Sequence, residues 1–428
     1  MTELITFAFS LFLISLIIFN PIFFLISDKN KYFKNISNVE ILIFMVFLIN
    51  IFLLFSIFDL FNNNTKFIFY FLVLLPILLG IIFMKKLINS NYFIDLFSVF
   101  LISFILALNI FSNPSLGWDG NFWIEKAKIF YEGGKFKDLN STIFPYYPHL
   151  GGYVWGFFWK NSFFNYEIIG RASYVLIYVF SIYQLSSNLK SNNYNKILYT
   201  LILIFLTYKF EHFIGYQDIL IFSFILISYS LLNNYKKNPN LISLLIFNFS
   251  IFLLLWIKNE AIIAYLIFLI LFLYVYKKNK IKNHLYIFTI LYFVLLVIKI
   301  SIFNNLTDNL ILQEGISIQN FYSNIKNPLI FLDKIFIIFK YFLIKIFYTP
   351  MFVVIFLLIL FTKRISKEEI FFSLLVIILY STPYMFSSDA TDTERLIWHL
   401  KTSYDRMLLQ SMAFFLPYAL KIMKSFSK

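Results

Sequence analysis

Apolar runs of about 20 residues, the length an α-helix needs to cross the roughly 30 Å hydrocarbon layer of a bilayer, recur from residue 4 almost to the end of this chain. Repetition on that scale leaves little freedom. No water is present in hydrocarbon to satisfy backbone N–H and C=O groups, so each run must close its hydrogen bonds within itself as a helix. Composition agrees: 60% of the residues are hydrophobic and 14% are charged, far from the balance of a soluble domain. The expected fold class is an all-α polytopic membrane protein. About thirteen spans are predicted, at 4–27, 40–61, 67–84, 92–111, 167–187, 196–208, 216–233, 241–257, 260–276, 284–303, 348–362, 369–386 and 407–422. The first run lacks a basic leader and a small-residue cleavage site, so it reads as a retained helix. In 331–347, Asp333, Lys334, Lys340 and Lys345 project to one half of a helix, the pattern of an interfacial helix. The chain reads as one membrane domain, 1–428, made of N-terminal helices 1–111, a long loop 112–166 and the remaining helices 167–428.

The formal charge of +14 would suit nucleic acid if it were clustered, but the lysines sit in short loops between apolar runs, so no nucleic-acid partner is expected. Loops 28–39, 85–91, 188–196, 234–240, 277–283 and 363–369 and the tail 421–428 fall on one side. About one residue in three there is Lys or Arg, against about one in ten on the other side. That bias places the first set in the cytoplasm and the long segments 112–166, 304–334 and 387–406 outside. The absence of Cys excludes disulfide and thiolate chemistry. No phosphate-cradling glycine loop or G-x-S-x-G element is present, which argues against ATP hydrolysis and serine hydrolase chemistry.

The first outer segment reads Gly117-Trp118-Asp119-Gly120-Asn121-Phe122-Trp123-Ile124-Glu125-Lys126-Ala127-Lys128 and continues through Tyr147-Pro148-His149-Leu150. Residues 121–132 have the pattern of a short amphipathic helix at the membrane surface. A carboxylate at Asp119 suits a general base, with Trp118, Trp123 and Tyr147 as flat faces for a sugar or isoprenoid. On composition alone the same residues better suit an Asp-Gly turn among interfacial aromatics. Gly215-Tyr216-Gln217-Asp218 opens the seventh span, and Lys258-Asn259-Glu260 links the eighth to the ninth. Lys258 could hold a lipid phosphate while Asp218 or Glu260 binds a cation or a sugar hydroxyl; alternatively, the three form an internal ion pair between helices. The last outer segment carries Arg395, Trp398, His399, Asp405 and Arg406, with the two arginines as phosphate clamps or as interfacial anchors. His149, His212 and His399 share the outer side without metal-ligand spacing.

In their order along residues 110–410, the W-D-G-x-x-W-x-x-K-A element, the following Y-P-x-L, G-Y-x-D, K-N-E and W-H-x-x-x-S-x-D-R resemble bacterial GT-C glycosyltransferases that use polyprenyl-phosphate sugars. The resemblance implies a GT-C-like bundle of about 11–13 spans in the bacterial inner membrane, with an active site facing the exterior. It implies a lipid-linked sugar donor, a lipid, glycan or protein acceptor, and Asp119 as the base that activates the acceptor hydroxyl, with inversion. Lys126, Lys258 and Arg406 would neutralise the leaving phosphate, and Tyr147, Asp218, Glu260 and His399 would bind substrate. Two options stay open for a cofactor: none at all, or a divalent cation, Mg or Mn, with Asp218 and Glu260 as its candidate ligands. Many members carry two adjacent acids where this chain has Asp119-Gly120; Glu125 is the nearest substitute. Two other classes compete. A saccharide flippase would be expected to show repeated halves, and no such symmetry is visible in the sequence. An O-antigen polymerase or ligase would use Arg and His in a late outer loop, as in 387–406.

Overall fold

The computed structural model describes residues 2–22, 39–60, 64–145, 147–187, 192–279, 281–306, 318–354, 357, 367–388 and 392–426. Almost all of the expected loop 28–39, residues 355, 356 and 358–362 of the span 348–362, residues 363–366 of the loop 363–369, and residues Tyr146 and Lys280 lie outside them. Every regular element among the described residues is a helix. The α-helices of nine residues or more are, in chain order, α1 Thr2–Ile18, α2 Val39–Ile57, α3 Thr65–Ile82, α4 Tyr92–Ser112, α5 Trp118–Glu132, α6 Leu150–Asn161, α7 Ile168–Ser187, α8 Asn193–Thr207, α9 Asp218–Lys237, α10 Leu241–Ile257, α11 Ile262–Asn279, α12 Lys282–Leu306, α13 Ile318–Lys326, α14 Pro328–Tyr348, α15 Lys367–Ser381 and α16 Thr393–Phe426. Eight of the helical stretches among the described residues are long and apolar enough to cross a membrane, and α1 and α10 are shorter apolar helices. The chain is an all-α, multi-pass membrane protein.

Chain contacts divide it into two compact units, Met1–Leu201 with Lys209–Asn309, and Ile202–Tyr208 with Leu310–Lys428. In the first unit α7 and α9 are central, with 94% and 89% of their spanning windows buried. The apolar α3 and α12 lie at the edge, each 22% buried, and turn Phe67, Ile81, Tyr286 and Val297 outward. Such exposure would be a fault in water and is the expected outer face of a protein solvated by lipid.

Helix ends in this unit meet in two groups. At one end the Tyr92 hydroxyl donates to the Phe19 carbonyl, Lys196 pairs with Asp95 at 3.1 Å, and Tyr235 meets His284 at 2.9 Å. At the other, Ser56 meets His149 at 2.7 Å, the Phe136 amide donates to Asp59 at 2.7 Å, and Lys258 pairs with Asp218 at 3.4 Å. These are the two sets of ends that loop charge separates; which set faces the cytoplasm follows from charge alone.

The second unit departs from expectation in two places. Residues 393–406, expected as an outer loop, form the first turns of the 34-residue α16. The segment has no Gly or Pro before Pro417, and the Asp392 carboxylate accepts the Arg395 amide at 2.9 Å, so nothing breaks the helix and something starts it. The charged stripe of α14 is also partly turned inward. Lys334 is buried and donates to the Ser388 hydroxyl at 2.9 Å, and Lys345 pairs with Asp405 at 2.7 Å, while Leu329, Phe336 and Phe347 are exposed.

Candidate functional site

The site in the first unit is built on two glycine turns in backbone contact. Gly117 precedes α5 in extended conformation and donates its amide to the Ile214 carbonyl at 2.8 Å. A Cβ at Gly120 would lie 2.3 Å from that same carbonyl oxygen. Gly215 adopts φ +106°, and a Cβ there would lie 2.7 Å from the Gly120 Cα. Only glycine supports both the close approach and the left-handed backbone. A Cβ at Gly117 would lie 2.8 Å from the Tyr216 hydroxyl. Asp119 therefore stands, part-exposed, beside the turn that leads into Tyr216 and Asp218. It lies in the first turn of α5.

The entry into α5 is held from behind by Arg171, a fully buried residue of α7. Its guanidinium donates to the Pro114 carbonyl at 2.7 Å and the Ser115 carbonyl at 3.0 Å, and pairs with both carboxylate oxygens of Glu167. Nothing in the sequence motifs singled out Arg171. The available signal was an arginine at the mouth of an apolar run, which needs partners to be tolerated there.

Aromatic rings line the outer surface of this turn. Trp118 is 67% exposed and meets Phe122 edge to face, Phe122 meets Phe144, and the buried Trp123 meets Tyr147. Lys126 is turned inward. Its ammonium donates to the Tyr147 carbonyl at 2.5 Å and lies 5.5 Å from the Trp123 ring centre, and burial lowers its pKa to about 7 against the opposing charge of Glu125. It braces the Tyr147 segment, and Lys128 is the lysine exposed on this helix. His149 is fully buried on Ser56 and surrounded by Phe130, Phe136 and Trp256; burial first, then Lys126, hold its pKa well below the usual imidazole range.

Asp218, Lys258 and Glu260 converge. Lys258 lies 3.4 Å from Asp218 and 3.2 Å from Glu260, so one ammonium bridges two carboxylates. This is the internal ion pair, one of the two alternatives read from the motifs. Among the described residues no three His, Asp or Glu side chains group as metal ligands. Lys258 meets one oxygen of each carboxylate, Asp218 Oδ2 and Glu260 Oε1, so its ammonium stands between the two residues expected to hold a cation. Lys299 of α12, unremarked as a motif, reaches the same turn and donates to Asn259 at 3.5 Å. No family model, curated protein or solved structure matches the chain.

His399 and Arg406 belong to the second unit, on α16. Burial, then Arg395, lowers the pKa of His399, with Asp392 opposing; burial lowers that of Arg406 to about 10. Asp405 beside them is committed to Lys345.

Proposed function

We propose that this chain is a membrane glycosyltransferase of the GT-C type, transferring a sugar from a polyprenyl-phosphate or diphosphate donor to an acceptor hydroxyl at the outer face of a bacterial plasma membrane. One observation supports the reading: the Gly117–Gly120 and Ile214–Tyr216 turns touch through their backbones, which joins the turn that carries Asp119 to the turn that leads into Asp218, itself paired with Lys258. The eight apolar crossings, the shorter helices α1, α8 and α10 and the C-terminal part of α16 then make up a bundle of about 11–13 spans.

On this reading Asp119 accepts the proton of the acceptor hydroxyl, and the oxygen attacks the anomeric carbon from the face opposite the phosphate. The bond between that carbon and the phosphate oxygen breaks, and its electron pair leaves with the lipid phosphate. The proton stays on Asp119 until solvent removes it. Trp118 and Phe122 provide apolar faces for the sugar. Asp218 and Glu260, held in register by Lys258, accept hydrogen bonds from sugar hydroxyls. His399 and Arg406 keep the substrate-binding roles implied by their motif, with a lipid, glycan or protein as acceptor.

Asp119→Asn keeps the shape and removes the base. In proteoliposomes given a polyprenyl-phosphate sugar, transfer is expected to fall by about 10²–10⁴-fold, with expression and thermal midpoint unchanged. An Asn variant that transfers sugar as fast as the parent chain removes Asp119 from the mechanism.

A further inference from the structure

Lys299 is held where a charge is expensive. Residues 285–303 contain no other charged side chain, and Lys299 is 6% exposed, facing into the first unit. Its contacts are weak: the Asn259 side-chain oxygen at 3.5 Å, the outer limit of a hydrogen bond, and the face of Phe303 with the ammonium 4.9 Å from the ring centre. Among the described residues it forms no ion pair, whereas Lys258, one residue from Asn259, is bridged by two carboxylates. Two lysines therefore reach the Lys258-Asn259-Glu260 turn, and the one already neutralised is the one the motif pointed to.

A buried ammonium without a counter-charge lowers stability, and such residues in membrane segments mark ligand paths. The surroundings indicate what the ligand is. Lys299 lies about two turns before α12 ends at Leu306, below the outer end of the helix on the topology that loop charge assigns. Val294, Val297, Ile298 and Ile300 on the flanks of the same helix are exposed apolar side chains. An anion at that depth, next to a lipid-facing apolar stripe, is one that arrives attached to a hydrocarbon chain.

We propose that Lys299 is the cation that takes the phosphate of the lipid carrier, with the isoprenoid lying along the Val294–Ile300 flank and a phosphate oxygen replacing Asn259 as the partner of the ammonium. This rests on the lipid-phosphate reading of the donor and moves its phosphate contact from Lys258 to Lys299. Lysine suits the task as a compact point charge that can neutralise the leaving phosphate once the glycosidic bond has broken.

The test uses the full chain in nanodiscs of zwitterionic lipid and three probes: a polyprenyl phosphate, the corresponding polyprenol and inorganic phosphate. Lys299→Met is expected to raise the thermal midpoint of the ligand-free chain, weaken polyprenyl phosphate binding by tenfold or more, and leave polyprenol binding unchanged. Lys299→Arg, which keeps the charge, is expected to bind within about threefold of the parent. Polyprenyl phosphate binding by Lys299→Met at parental affinity overturns the assignment, as does a Met variant less stable than the parent. Competition by inorganic phosphate at equal concentration would make the site one for the free anion. If the parent chain itself binds no polyprenyl phosphate better than polyprenol, the donor reading falls, independently of Lys299.

Discussion

The Lys126 ammonium is 2% exposed on the Tyr147 carbonyl, and burial brings its pKa from 10.5 down to about 7. The unfolded chain keeps that proton up to about 10.5, so between the two values it holds more protons than the folded one, and folding gains stability as pH rises through this window. Below about 7 both states are protonated and the full cost of burying the charge is present. The thermal midpoint of the detergent-solubilised chain is therefore expected to rise from pH 7 to pH 10 relative to Lys126→Met, with an upper bound of about 4 kcal/mol on the difference. Parallel curves for the two proteins would mean that Lys126 is solvated. The resemblance selects Lys126, and Lys128, two residues further on, points to a different face of the helix. Packing decides: Gly120, Trp123, Ala127 and Phe130 are buried, and Lys126 falls within that face while Lys128 stays in solvent.

Among elements, the junction from α4 into α5 depends on contacts from a helix distant in sequence. Arg171 donates to the carbonyls of Pro114 and Ser115, 57 and 56 residues away, and is itself neutralised by Glu167. Removing the counter-charge from a buried ion pair costs about 3–5 kcal/mol, and less here because the Glu167 side chain is 19% exposed. Glu167→Gln is expected to destabilise the chain by about 2–3 kcal/mol and to speed amide exchange in residues 113–122 more than in the centre of α7. Uniform exchange across both segments would show that Arg171 holds this segment without its carboxylate partner. The helices were largely legible from apolar runs, since hydrocarbon permits almost nothing else, and α4, α7 and α9 begin within two residues of the expected spans. Contacts between turns were not. Gly117, Gly120 and Gly215 read as ordinary turn residues, yet they are where one backbone passes another, and no local pattern encodes that distant neighbour. Residues 393–406 were misread for the opposite reason: their charges suggested a loop, while their helix propensity and the Asp392 cap continued α16.

For the whole molecule, the contacts at helix ends make sidedness a linked property. Asp95 with Lys196 ties α4 to α8 and Tyr235 with His284 ties α9 to α12 at one face, and Ser56 with His149 and Asp218 with Lys258 tie the opposite ends. One segment of the first unit cannot then be turned over without the rest, and locating two residues locates the unit. Loop charge assigns Lys236 to the cytoplasm and Ser141 to the outside, and both are exposed. The chain has no Cys, so Ser141→Cys and Lys236→Cys can each be introduced as a single thiol without altering anything else. In intact right-side-out vesicles a membrane-impermeant maleimide is expected to label Ser141→Cys and to reach Lys236→Cys after permeabilisation. The opposite pattern would put Asp119, Lys258 and Lys299 on the face where nucleotide sugars are found. A lipid-linked donor would then lose its rationale, because a polyprenyl phosphate carries a sugar to the side that nucleotide sugars do not reach. The glycine-packed turn would remain a site, but one in need of a different substrate.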